Sequence, residues 1–154
     1  MKKKIITTLL SVLVFIILAS CTTVKAVPND RAIERFIDLY NTGNTEKMTA
    51  MTSVPMLIDG EIVARSTDAN FFWTRITKAG FKLDGSEYFT VETLTDKSRL
   101  LFGDTMEVST FFDKYVPSTA VIVRVSGPGG DFILLLSGRK GRYPFIFGFT
   151  GPLS

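Results

Sequence analysis

The sequence contains no histidine. That absence removes the commonest general base, the commonest zinc ligand, and both the Ser-His-Asp and Cys-His nucleophile systems. Cysteine occurs once, at Cys21, so no internal disulfide staples the fold. Concentrated basic charge is also missing. The formal net charge is +3, but Lys2, Lys3 and Lys4 supply it: without them the 18 Lys and Arg fall to 15, equal to the 15 Asp and Glu. One short basic group remains, Arg139-Lys140-Gly141-Arg142, and it reads as a solvated hairpin tip. Nucleic acid is therefore not an expected partner, although those charges would weakly attract anionic lipid head groups.

Carboxylates are scattered over helices and turns rather than paired in one segment, and Glu34 with Asp38 has the spacing of a solvated helix face. The glycine clusters Gly127-Pro128-Gly129-Gly130 and Gly138-Arg139-Lys140-Gly141 precede strands, not helix N-termini, so they read as turns and not phosphate cradles. No metal and no cofactor is implied, and there is no internal repeat.

What is present begins at the N-terminus. Three lysines precede an apolar run from Ile5 to Leu18, the order of charged and hydrophobic regions in an export signal. The run is shorter than the ~20 apolar residues of a bilayer-spanning helix and ends in small residues, so it reads as removable. Leu18-Ala19-Ser20-Cys21 resembles the lipobox of bacterial lipoproteins. The resemblance implies cleavage after Ser20 and a thioether-linked diacylglycerol on Cys21, with further acylation making attachment durable. An ordinary secretory signal with an incidental cysteine is the competing reading. Thr22, where Asp would retain an inner-membrane lipoprotein, implies the outer membrane in a Gram-negative cell. The expected organisation is a signal peptide at 1–20, a lipidated tether at 21–29 and a single domain at 30–154.

Within the domain, Ile33, Phe36, Ile37 and Tyr40 recur at helical spacing between Asn29 or Asp30, which can cap the start, and Gly43, which can end it. Thr45 can open a second, short helix carrying Met48 and Met51, which must stop before Val54-Pro55. The segments 54–58 and 61–65 flank Asp59-Gly60, the pattern of a type I′ hairpin. Ser66 or Thr67 opens a third helix with Ala69, Phe72, Trp73 and Ile76 on one face, ending at Gly80. Tyr88 to Leu94 reads as a strand. Asp104-Thr105-Met106-Glu107 resembles a capping box, and Val108, Phe111, Phe112 and Tyr115 then predict a helix closed by Pro117, although the alternation Met106, Val108, Thr110, Phe112 also permits a strand. The segments 120–125, 132–136 and 143–150 predict an antiparallel meander. Tyr143, Phe145, Phe147 and Phe149 are expected on one face of its last strand.

Two N-terminal helices, a hairpin, a helix bearing Trp73 and a C-terminal run of strands together resemble the nuclear transport factor 2-like superfamily. The resemblance spans nearly the whole mature chain and rests on element order. It implies an α+β fold in which a curved antiparallel sheet wraps around the N-terminal helices as a cone. Isomerase members use a tyrosine from the first helix with acids inside the cone, and Tyr40 occupies such a position. The strands offer no matching acid, since 120–125 contains only Arg124 as an ionisable group. The expected function is therefore a membrane-anchored, non-catalytic domain that binds an apolar small ligand or an envelope protein partner, with dimerisation through the open sheet face. Tyr40, Trp73, Phe112, Arg124 and Phe147 are the ligand-binding candidates. An isomerase or lyase using Tyr40 with a carboxylate, and a purely structural surface lipoprotein, are the alternatives.

Overall fold

The first helix, α1 (Asp30–Asn41), ends where the backbone at Gly43 turns left-handed at φ 68°. Its closing turn is held by Gly43 and Asn44 amides donating to the Tyr40 and Leu39 carbonyls, a glycine-terminated end of the usual kind. The computed structural model describes residues 30–80, 82–83, 89–127, 130–138 and 145–153. Residues 1–29, expected to hold an export signal, Cys21 and a tether, residues 139–142, expected to be a hairpin tip, and Tyr88 and Tyr143 lie outside the described residues. Helix α2 (Thr45–Met51) is capped by Asn44 and not by Thr45: the Lys47 amide donates to Asn44 Oδ1 at 3.2 Å. Asparagine reaches that amide from one position earlier, at a site where its type is among the most favoured.

Strands β1 (Thr52–Ile58) and β2 (Glu61–Val63) flank the expected hairpin turn, in which Asp59 and Gly60 both have positive φ, 47° and 87°. Helix α3 (Ser66–Lys78) follows, with Ala69 and Trp73 buried and Phe72 and Ile76 half-buried against the core. Next come β3 (Phe89–Thr93), a 3-10 turn (Ser98–Leu101) and α4 (Met106–Tyr115). The helical alternative for 106–115 is the one observed. Thr105 is its cap, accepting from the Val108 amide at 3.2 Å, so Glu107 falls at the second helical position and not the third that a full capping box requires.

Strands β4 (Val121–Gly127), β5 (Gly130–Leu136) and β6 (Ile146–Leu153) form the antiparallel meander. The whole sheet has the order β2-β1-β6-β5-β4-β3 and is mixed, because β1 runs parallel to β6. This corrects the antiparallel expectation, and the cause is topological: the hairpin docks on the meander's last strand. Between Thr52 and Leu57 the β1–β6 register shifts, and Pro55, with no amide to donate, falls in that interruption.

The sheet separates two apolar cores. Met56, Ile58, Val121, Val123, Val125, Phe132, Leu134, Leu136, Ile146 and Phe149 face α1, α2 and α3. Leu57, Ile122, Ile133 and Leu135 face the other way and are covered by Phe102 and by Val108 and Phe111 of α4. Full burial of a side chain of this size contributes about 1.5–3 kcal/mol, so both layers matter to stability. Part of the second sheet face is thus covered by α4 and Phe102.

The expected aromatic row on β6 is also broken. Leu135 pairs with Gly148 but Leu136 pairs with Ile146, leaving Phe147 as the extra residue of a bulge. Alternation resets there: Ile146 and Phe149 belong to the helix-covered core, whereas Phe147 packs with the α4 core. Phe145 precedes the strand and is exposed. Gly148 is tightly enclosed on α4's side of the sheet, where a Cβ would lie 3.0 Å from the Phe102 ring and 3.3 Å from Leu135.

Candidate functional site

Tyr40 and Trp73 lie together in the helix-covered core, 1% and 0% exposed. Tyr40, in the last turn of α1, stacks on Phe149 at 6.4 Å, and Trp73 meets Phe149 edge-on at 5.4 Å and Phe36 at 6.1 Å. The two polar tips fare differently. Trp73 Nε1 donates to Thr52 Oγ1 at 2.9 Å, and that hydroxyl donates to the Met48 carbonyl at 2.8 Å. The Tyr40 hydroxyl is buried and has no hydrogen-bond partner among the described residues, and burial pushes its pKa up to about 12. It therefore stays protonated across the physiological range, a donor without an acceptor.

Phe112, Arg124 and Phe147 are on the other side of the sheet. Phe112 and Phe147 border the α4 core, Phe112 lying 5.8 Å from the Phe102 ring. Arg124 alternates with buried Val123 and Val125, so it shares the face of Ile122 and reaches Asp131 diagonally across β4 and β5, at 3.8 Å with the two side chains 32% and 39% exposed. The five sequence candidates do not converge on one pocket: a sheet stands between two of them and the other three. Asp59, in the hairpin turn, serves local geometry: its Oδ1 accepts from the Thr150 hydroxyl at 2.8 Å and the Gly151 amide at 3.1 Å.

A concave surface does occur, along the outer side of α3. A groove of about 620 Å³ is lined by Phe71, Phe72, Arg75, Ile76, Lys78 and Ala79. It is shallow and open to solvent, and its described lining is mostly apolar. Phe72 joins it to the interior, touching Trp73 at 4.9 Å and Phe149 at 5.5 Å. Phe71 is 62% exposed and carries the Arg75 guanidinium 5.4 Å above its ring. The described lining thus combines apolar and aromatic surface with two exposed cations and no acid.

Sequence reasoning missed this groove, although a signal was available. In the run Phe71-Phe72-Trp73 successive helical positions point ~100° apart, so three large apolar side chains cannot all face one core. Trp73 takes the buried direction and Phe71 is turned outward. Among the described residues no group of three or more Cys, Asp or Glu side chains lies close enough to hold a metal ion, and no helix is long and apolar enough to cross a membrane. No protein family, curated protein or solved structure matches this chain.

Proposed function

We propose that this chain is a bacterial lipoprotein, fixed to the outer membrane of a Gram-negative envelope through acylated Cys21, whose single domain is a non-catalytic binding module for an apolar ligand. The order of helices, hairpin and meander, with α1 to α3 packed on one face of the six-stranded sheet, supports a nuclear transport factor 2-like ancestry. The observation that carries the binding role is the groove along α3, where Phe71 remains exposed beside half-buried Phe72 and Ile76. Exposed aromatic surface is costly in water, and an apolar partner relieves that cost.

Two measurements test the reading. Intact mass of the membrane-extracted protein should show residues 1–20 removed and Cys21 carrying the acyl groups. Titration with the fluorescent apolar probe N-phenyl-1-naphthylamine should show binding that Phe71→Ala and Ile76→Ser weaken. A free Cys21 thiol sinks the anchor, and a probe isotherm unchanged by either substitution sinks the groove.

The second reading, an isomerase or lyase, has one observation in its favour, the partnerless and protonated Tyr40 hydroxyl. Turnover of a small hydrophobic carbonyl compound, lost in Tyr40→Phe, would favour it over the binding module.

A further inference from the structure

We infer that the occupant of the α3 groove is an anionic phospholipid of the bilayer on which the domain is tethered, so that α3 is the face that rests on the membrane. The inference builds on the proposed anchor for its geometry and on the groove for its chemistry. A tether spanning residues 21–29 reaches at most about 30 Å, which keeps the domain within contact range of the lipid surface.

The α3 lining matches such a surface in two respects. Phe71 projects into solvent from the helix, while Phe72, Ile76 and Ala79 continue the apolar surface beside it. One exposed ring, bordered by partly buried apolar side chains and by cations, suits the headgroup level of a membrane surface. Arg75 and Lys78 follow Phe71 by four and seven positions, and both are exposed at the groove. Long cationic side chains of this kind reach phosphate oxygens while a neighbouring aromatic ring enters the acyl boundary. The one acid in the first turn of α3, Asp68, does not line the groove. The guanidinium over the Phe71 ring also holds cation and aromatic side by side, the pairing that a phosphate above hydrocarbon requires.

The test uses the full-length, processed protein carrying Phe71→Trp, with the wild type, whose Trp73 is buried, as the background. The protein is reconstituted into phosphatidylcholine vesicles with or without phosphatidylglycerol, and tryptophan quenching by brominated acyl chains is recorded. The inference expects quenching at position 71 that rises when phosphatidylglycerol is present. Arg75→Gln and Lys78→Gln should each reduce the apparent affinity for anionic vesicles roughly fivefold. Quenching equal in both vesicle types, or an introduced indole that remains unquenched, overturns it. Adding an unacylated Cys21→Ser protein that lacks residues 1–20 to preformed vesicles separates the two ideas: anionic-lipid-dependent quenching without acylation upholds the membrane face even where the anchor reading fails.

Discussion

Trp73 donates its indole N–H to the hydroxyl of Thr52, and the same hydroxyl donates to the last turn of α2 at Met48. One small polar side chain therefore ties α3, the start of β1 and α2 together inside an otherwise apolar layer. Buried donors without partners cost about 1–3 kcal/mol. Thr52→Val, which keeps the shape but not the acceptor, should destabilise the fold by that amount in urea denaturation, while Thr52→Ser should recover most of it. Equal stability of the valine variant and the wild type would show that the relay contributes nothing.

Tyr40 supplies the opposite case. Its hydroxyl is buried and partnerless, so Tyr40→Phe should raise stability in urea denaturation, by ~1 kcal/mol near neutral pH. The raised pKa gives a second signature. Below about pH 10 both folded and unfolded phenols are neutral. Between about 10 and about 12 only the unfolded phenol ionises, so stability falls with rising pH by about 1.4 kcal/mol per unit. The phenylalanine variant should lack this part of the decline, and identical alkaline profiles would contradict the buried position.

The hairpin depends on Gly60. At φ 87°, a Cβ on this residue would lie 2.8 Å from the Phe102 carbonyl. Gly60→Ala combines an unfavourable backbone conformation with a clash against the segment leading into α4. A loss of about 1–3 kcal/mol is expected, with the α4 layer losing hydrogen-exchange protection first.

Arg124 and the α3 groove should respond differently. The half-exposed pair with Asp131 is worth about 0–1 kcal/mol, and it stands across the sheet from α3. Arg124→Ala should therefore shift stability by less than about 1 kcal/mol and leave binding of the apolar probe unaltered, whereas Phe71→Ala should leave stability unaltered and weaken binding. Probe binding lost in Arg124→Ala would move the site to the opposite face.

Much of the fold was legible because local patterns carry it. The 3.6-residue recurrence of Ile33, Phe36, Ile37 and Tyr40 specifies a buried helix face, and Asp59-Gly60 specifies a turn that few other dipeptides form. The site was less legible. Periodicity assigns Phe147 and Phe149 to one face, and only pairing with β5 reveals the bulge that separates them. Nor could alternation show that a helix predicted from its own spacing would settle on the supposedly open side of the sheet.

The sequence by itself determined the excluded histidine chemistry, the lipobox resemblance at Cys21, and the type of nearly every element, since each depends on residues adjacent along the chain. Tertiary structure decided which core each strand residue enters, the parallel docking of β1 on β6, and the outward turn of Phe71 that leaves a groove on α3. These follow from competition among distant segments for the same apolar surface, an energy that no local pattern contains.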